Sequence, residues 1–365
     1  MGHSLVWRRV RAVAVTMLCL GGCRSAWTAQ PRVVEIGFAQ QGYAYVFGAA
    51  QLAIDALNRE TATSNLTFRL RRAAGGEIDP VRAAANLRDM PAVVGVVGAI
   101  WSQDMLDSVI EYEAPDRPQP PVVAIAPVST NGDLSGISPW VFRLCPTDSQ
   151  EALSVARFAI DSMHVSRAAL LFANEAFGRD WSATFQSEFE RLGGKVVLRR
   201  PVRNVPEDLA VYAAYIERLK PDVIALPAAT FESMGALSGL VGRIPLVAGD
   251  GSDVLLTWKK HVERAYFAEF FTQDAPGAEA QAFVHASILR NPAEPVRHIQ
   301  ALTYDAVMLL GRAAMAVGPD RNRVRDYLSA LGNTRPPLRG VTGQLAFDDL
   351  HNPRYATVRL VRVGQ

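Results

Sequence analysis

Short apolar runs alternate with segments of helical periodicity from residue 33 onward. The runs are rich in Val and Ile and lie at 33–39, 66–70, 93–98 and 122–126. Between them, apolar residues recur every three or four positions over 46–58, 80–87 and 103–112. Strands that are apolar without alternation are typical of a parallel sheet covered by helices on both faces. The pattern therefore predicts a doubly wound, Rossmann-like α/β unit.

The same pattern then starts again. Predicted strands lie at 168–173, 195–198, 223–226 and 246–248, with helices over 150–162, 180–192, 207–219 and 232–242. This predicts a second α/β unit. Helical segments at 277–289, 299–317 and 321–331 have no strand among them, so we expect them to cover the first unit. The segments 343–347 and 356–363 predict a closing β-hairpin.

The amino-terminal segment has the features of an export signal. Arg8, Arg9 and Arg11 precede an apolar stretch, 12–20, that is too short to span a bilayer. Leu20-Gly21-Gly22-Cys23 follows and is similar to a lipobox. Residues 1–22 are therefore predicted to be a lipoprotein signal peptide, with Cys23 lipidated and the protein anchored to the inner or outer membrane of the periplasm. Cleavage after Ala29 is the alternative.

Composition excludes several classes of protein. The 365 residues are 49% apolar and 20% charged, which excludes intrinsic disorder. Loss of the three arginines of the signal takes the net charge from +2 to −1, so charge gives no reason to expect nucleic-acid binding. Of the three cysteines, only Cys145 would remain unmodified in the mature chain; we expect a buried residue at a strand end, with a reactive thiol as the alternative.

Motifs for catalysis are not found in the sequence. The six histidines do not have the spacing of a metal site, and no Gly-x-Ser-x-Gly, Walker or Gly-x-Gly-x-x-Gly motif occurs. Ser252, Asp253 and His261 lie too close together in sequence to suggest a catalytic triad. We therefore expect no enzyme activity, no metal and no cofactor.

Several segments carry a family resemblance. They are 36–58, Gly98-Ala99-Ile100-Trp101-Ser102, Ala126-Pro127-Val128-Ser129-Thr130-Asn131, Val141-Phe142-Arg143 with Asp148-Ser149-Gln150, Phe177-Gly178, Gly249-Asp250-Gly251, Thr303-Tyr304-Asp305-Ala306 and 343–348. In this order they resemble the type 1 periplasmic solute-binding proteins of branched-chain amino acid and amide ABC transporters. The resemblance implies two lobes, 31–145 with 275–338 and 146–274 with 339–365, joined by three crossovers that let the lobes close on a solute.

The resemblance also implies a ligand site. In the first lobe, Ser102 and Thr130 would supply hydroxyl groups and Val128 a backbone carbonyl. In the second lobe, Phe177 would cover the solute and Asp250 would pair with an ammonium group. Helix capping is the alternative for the two hydroxyls, and a turn between glycines is the alternative for Asp250.

Three positions depart from the family pattern. Thr230 stands where many relatives carry an aromatic residue. Tyr43 and Trp101 could line the cleft and stack on a flat solute, or Trp101 could pack under the first helix. The predicted function is solute binding for an ABC importer, with permease and ATPase partners. The alternatives are a periplasmic sensor or accessory subunit without transport, or a binder of an uncharged or aromatic solute.

Overall fold

The computed structural model describes residues 32–39, 44–73, 79–203, 206–262 and 264–363. Its first five strands are β1 (Arg32–Phe38), β2 (Leu66–Arg72), β3 (Val93–Val97), β4 (Val123–Ala126) and β5 (Val141–Arg143). They form one parallel sheet in the order β2-β1-β3-β4-β5. Every residue of β3 is buried, which is the expected result for a strand covered on both faces.

Helices follow the first strands in the predicted alternation. They are α1 (Ala44–Glu60), α2 (Pro80–Arg88) and α3 (Ser102–Glu113). The start of α2 is determined by local sequence, since Asp79 accepts a hydrogen bond from the backbone N–H of Arg82 at 3.0 Å and Pro80 begins the helix. An acceptor before the first turn and a proline within it are both typical of helix starts.

The second sheet is built in the same way. Its parallel strands are β6 (Arg167–Ala173), β7 (Lys195–Val202), β8 (Val223–Leu226), β9 (Leu246–Ala248) and β10 (Ala265–Glu269). Helix α4 (Asp148–Asp161) precedes β6, and the helices between the strands are α5 (Ala176–Arg191), α6 (Pro206–Leu219), α7 (Phe231–Val241) and the short α8 (Val254–Thr257). A capping box between Thr147 and Gln150 begins α4 directly after the first sheet ends.

The carboxyl-terminal third returns to the first sheet. It contains α9 (Ala278–Arg290), α10 (His298–Val317), α11 (Arg321–Ala330), β11 (Leu338–Gly340), β12 (Gly343–Leu345) and β13 (Arg359–Arg362). Helix α10 packs on α1 and β3, as expected. A Cβ atom at Gly95 of β3 would lie 2.4 Å from Leu310, so the absence of a side chain there permits this close packing.

The predicted closing hairpin is wrong. Strand β12 pairs with β11, whereas β13 pairs antiparallel with β10 and completes the second sheet in the order β13-β10-β9-β8-β6-β7. Residues 345–347 pack into the core of the first sheet. The last segment of the chain thus contacts both sheets.

Among the described residues, no single helix is long and apolar enough to cross a bilayer. Only α10 and α11 taken together, a pair bent by 110°, reach that length and composition. Most residues of α10 are buried in the protein.

Candidate functional site

Two predicted hydroxyl residues meet at the carboxyl end of the first sheet. Ser102 begins α3, and its Oγ accepts a hydrogen bond from the backbone N–H of Asn131 at 3.2 Å. Thr130 follows β4, and its carbonyl accepts the N–H of Asp148 at 2.9 Å. Trp101 is at the N-cap position of α3, and Asn131 caps the short 3-10 helix Gly132–Leu134, so the predicted alternative of simple capping does not describe Ser102 or Thr130.

The other first-lobe candidates have different surroundings. Val128 is buried in the core of the first sheet. Trp101 is 46% exposed, more than a side chain packed under a helix would be. Tyr43 lies outside the described residues. A role for Trp101 in binding therefore remains a prediction, which its exposed side chain supports.

Phe177 and Thr230 lie together in the second lobe. They line a cavity of about 140 Å³ at the carboxyl ends of β6 and β8. Thr230 also caps α7, since its Oγ1 accepts the backbone N–H of Ser233 at 3.2 Å and Ser233 Oγ accepts the N–H of Thr230 at 2.8 Å. The cavity is thus lined by the predicted aromatic residue, Phe177, and by Thr230, whose hydroxyl also caps α7.

Asp250 follows β9, and its backbone contacts the carboxyl group of the buried residue Glu151. Its backbone N–H donates to Glu151 Oε1 at 3.1 Å, and the indole N–H of Trp181 donates to the same oxygen at 2.7 Å. A Cβ atom at Gly249 would lie 2.3 Å from Glu151 Oε1 and 2.2 Å from the Pro227 carbonyl oxygen. Only glycine therefore fits between Asp250 and this glutamate.

Three carboxyl groups meet here, Asp148, Glu151 and Asp250. Burial raises the pKa of Asp148 to about 7, against the opposing effect of the nearby Thr130 hydroxyl. Burial, and then the charge of Asp250, raise the pKa of Glu151 well above its ordinary value. Burial also raises the pKa of Asp250, against the favourable charge of His298. At this site the low dielectric outweighs the available positive charge.

Two residues at the start of α10 pair with carboxylates of the second sheet. Arg297 Nε donates to Glu269 Oε1 at 2.7 Å, and its Nη1 lies 2.9 Å from Asp253 Oδ2. His298 bonds to Glu269 through Nδ1, and its Nε2 lies 3.9 Å from Asp250 Oδ2. Burial alone would raise the pKa of Glu269, but His298 and Arg297 outweigh it and the pKa is lowered.

Arg143, at the end of β5, supports the loop that carries Thr130. Its Nη1 donates to the carbonyls of Asn131 at 2.6 Å and Thr130 at 3.2 Å. Its Nη2 donates to Ser135 Oγ at 2.7 Å and to Asn352 Oδ1. Burial lowers the pKa of this guanidinium, although Cys145 and Asp148 oppose the shift. Cys145 is a buried thiol, as expected for a residue at the end of a strand.

Ser252 and Asp253 have partners other than those of a catalytic triad. Ser252 Oγ accepts the backbone N–H of Ala229 at 2.9 Å, and Asp253 pairs with Arg297. Within the described part of the chain, no group of three or more His, Cys, Asp or Glu side chains has the arrangement of a metal site.

Three residues of this cluster are not among the predicted site residues: Glu151, Trp181 and His298. A signal for Glu151 was present, because it falls in the apolar stripe of α4. The buried positions of that helix are Asp148, Glu151, Ala152, Val155, Ala156 and Ala159. A carboxylate on the buried face of a helix needs a partner or a function. The sequence contained no comparable signal for His298, whose contacts come from strands distant in the chain.

Comparisons with known proteins agree on one family. A family model described as periplasmic binding protein matches residues 42–365. No curated protein matches the sequence. Among solved structures, the chain is similar to the branched-chain amino acid transporter substrate-binding protein LivJ from Streptococcus pneumoniae in complex with isoleucine. The TM-score is 0.76 at 20% identity, over 92% of this chain and 96% of that chain.

Two further structures show the same fold with other solutes. An ABC transporter substrate-binding protein from Desulfitobacterium hafniense in complex with Leu gives a TM-score of 0.74 at 20% identity, covering 91% of this chain and 97% of that one. A solute-binding protein from R. palustris in complex with 4-hydroxybenzoate gives 0.74 at 17% identity, covering 91% and 93%. The shared fold thus accommodates both aliphatic amino acids and aromatic acids.

Proposed function

Because the chain belongs to the periplasmic binding protein family, we propose that it is the exported solute-binding component of an ABC importer. Family membership confirms the predicted resemblance and the two-sheet α/β fold class, and it implies an extracytoplasmic location. Proteins of this family bind and deliver solutes, so the chain is proposed to bind without catalysis. Its proposed partners are a small molecule and the permease and ATPase subunits.

One geometric observation carries this proposal. The amino-terminal end of α4 contacts the binding loops of both sheets. The backbone N–H of Asp148 donates to the Thr130 carbonyl after β4, and the Glu151 carboxyl, one turn later, accepts the N–H of Asp250 after β9. Ligands of open α/β sheets bind at the carboxyl ends of the strands. Residues predicted from two separate halves of the chain therefore lie around one helix end.

The predicted division into lobes is 31–145 with 275–338 and 146–274 with 339–365, with the third crossover over 338–343. We propose that the first two crossovers lie between β5 and α4 and between β10 and α9. Residues 345–347 pack with the first core while β13 joins the second sheet, which supports moving the third crossover to after residue 347 and assigning 339–347 to the first lobe. Three connections of this kind would act as a hinge.

The proposed solute is an amino acid, an amide or a related metabolite. Ser102, Thr130 and the carbonyl of Val128 would hold it from the first lobe, and Phe177 and Asp250 from the second. Thr230, Trp101 and Tyr43 would shape the cleft. The structurally similar proteins that bind Leu and isoleucine support an amino acid, and the one that binds 4-hydroxybenzoate supports an aromatic acid as the second class.

Native mass spectrometry of protein purified from its own periplasm would identify the bound solute. Small-angle scattering of the protein with and without that solute should show a smaller radius of gyration when it is bound. Ser102→Ala should weaken binding by about 0.5–1.5 kcal/mol, the range for a neutral hydrogen bond. An unchanged radius at saturation would contradict closure, and protein that binds no solute would contradict the proposed function.

We also propose that Cys23 carries a lipid anchor. Cys23→Ser should then move the protein from the membrane fraction to the soluble periplasmic fraction, because a lipid chain supplies the membrane affinity. Unchanged membrane fractionation of this variant would favour cleavage after Ala29 and contradict the anchor.

A further inference from the structure

Asp148 and Glu151 carry buried acceptor atoms for which the protein supplies no donor. Asp148 is 1% exposed and Glu151 is fully buried. Within the described structure, neither oxygen of Asp148 nor Glu151 Oε2 has a hydrogen bond of good geometry, although the Thr130 hydroxyl lies close enough to Asp148 to favour its charged form and Glu151 interacts with the Asp250 carboxyl. A buried carboxyl oxygen without a donor is unfavourable, because it has lost its hydrogen bonds to water. These three oxygens lie beside Asp250, whose side chain is 15% exposed.

The positive groups around this cluster donate mainly to other partners. Arg143 donates its Nη1 and Nη2 groups to the Thr130–Asn131 loop, Ser135 and Asn352, and its buried Nε has no partner within the described structure. Arg297 pairs with Glu269 and Asp253. His298 bonds to Glu269 and reaches Asp250 only at 3.9 Å.

The remaining neighbours add no positive charge. Asp180 acts on Asp148, and Glu269 acts on Asp250, so both add negative charge. The buried thiol of Cys145 has its pKa raised by burial, so it stays protonated. The cluster therefore has more buried acceptor oxygens than the surrounding side chains satisfy.

We propose that Asp148 and Glu151 join Asp250 in one subsite that selects a cationic nitrogen group, so that the solute is a basic compound with a guanidinium or primary ammonium head. This inference rests on the proposed solute-binding function and names the class of solute. A guanidinium carries up to five N–H donors in a planar arrangement, and an ammonium carries three. Such a head supplies the donors that the three buried oxygens lack, whereas an aromatic carboxylate would add another negative charge.

Proton release should accompany this binding. Without a cation, burial raises the pKa of Asp148 to about 7 and that of Glu151 above its ordinary value, so both side chains hold protons more readily than exposed carboxyl groups do. A cation favours the ionised carboxylates and displaces those protons. Calorimetry at pH 7 in phosphate and in Tris should therefore give different apparent heats, because the released protons are taken up by buffers with different ionisation enthalpies.

Matched pairs of compounds test the proposal. L-arginine is compared with L-citrulline, which keeps the shape and removes the charge, and L-lysine with L-norleucine, which lacks the terminal amino group. At least one cation should bind about 10-fold or more tightly than its neutral counterpart. Glu151→Gln and Asp148→Asn should reduce that preference by about 10-fold. Both variants are nearly isosteric and remove a desolvated carboxyl, so we expect them to fold.

Glu188→Gln is the control, because Glu188 is also a buried carboxylate of the second lobe but pairs with Arg157 and Arg191. It should leave the preference unchanged. Equal binding within both pairs, binding of L-norleucine or benzoate without the cations, or no binding of either cation would overturn the basic-solute assignment. If a non-basic solute closes the lobes in the scattering experiment, the proposed function stands while this inference fails.

Discussion

Arg143→Met is the most informative single substitution that the structure suggests. The guanidinium is buried and donates four hydrogen bonds, two to backbone carbonyls of the Thr130–Asn131 loop and two to Ser135 and Asn352. It also provides the positive charge that acts on Asp148. Met has a similar length and apolar stem but donates no hydrogen bond, so the substitution removes the donors while keeping much of the packing.

The magnitude follows from two opposing effects. A hydrogen bond to a charged group stabilises by about 1.5–3 kcal/mol, so four of them, simply added, give about 6–12 kcal/mol, which is comparable to the whole stability of a domain. Desolvation of the guanidinium opposes this, and its lowered pKa reflects that effect. Removal of one member of a buried charged network typically destabilises by about 3–5 kcal/mol, and we expect that loss for Arg143→Met.

The assay is urea unfolding combined with solute affinity. Arg321→Met is the matched control, because Arg321 is also buried and donates to three backbone carbonyls, Val93 at 2.8 Å, Pro120 at 2.7 Å and Met90 at 2.8 Å. Burial lowers the pKa of Arg321 to about 10. Both variants should lose stability, but only Arg143→Met should weaken binding of the co-purified solute, by about 10-fold or more.

Two results would refute this reasoning. A loss below about 1 kcal/mol for Arg143→Met would mean that relief of desolvation balances the four hydrogen bonds. Equal effects of the two variants on affinity would mean that binding follows the general stability of the first lobe. In that case Arg143 would not act by positioning Thr130 and Asn131.

Three further predictions concern the second lobe. The pKa of Asp148 in the folded protein, about 7, lies above its ordinary value of 3.8, so folding takes up a proton at pH values between the two. The stability of solute-free protein should therefore fall as the pH rises through this window. The urea midpoint of Asp148→Asn should depend less on pH. Gly249→Ala would place a Cβ 2.2 Å from the Pro227 carbonyl, so thermal unfolding should show a loss of about 1–3 kcal/mol or more, and an unchanged melting temperature would contradict the packing. Trp181→Phe leaves Glu151 Oε1 without its indole donor and should destabilise by about 1–3 kcal/mol in urea, a loss that Glu151→Gln should reduce.

The regular parts of the fold follow from sequence because they depend on local patterns. The strand predicted over 93–98 from a valine-rich run is found over Val93–Val97, and the helix predicted over 80–87 from its apolar periodicity is found over Pro80–Arg88. The errors occur where pairing is distant. Strand β10 contains only five residues and becomes a strand because β9 and β13 pair with it, and β12 pairs with β11 rather than with β13. No local pattern encodes those partners.

The site divides in the same way. Ser102, Thr130 and Asp250 follow strands directly, so a sequence pattern combined with the family resemblance identifies them as candidates. Glu151 is detectable in principle as a charge within an apolar helical stripe. The contact of His298 with Glu269 depends on how α10 approaches β10, a tertiary arrangement between segments that have separate patterns.

Binding and lobe movement use the same short stretch of chain. Residues 143–151 leave the first sheet, form the first crossover and begin α4, and they contain Arg143, Asp148 and Glu151. The backbone N–H of Asp148 donates to the Thr130 carbonyl of the first lobe, and the N–H of Asp250 in the second lobe donates to the Glu151 carboxyl. The Asp148 carboxyl also lies near the Thr130 hydroxyl, so a change of protonation at this helix end acts on both binding loops. Because a ligand shifts a conformational equilibrium only by its differential affinity, we expect solutes that change the charge here to affect closure most strongly.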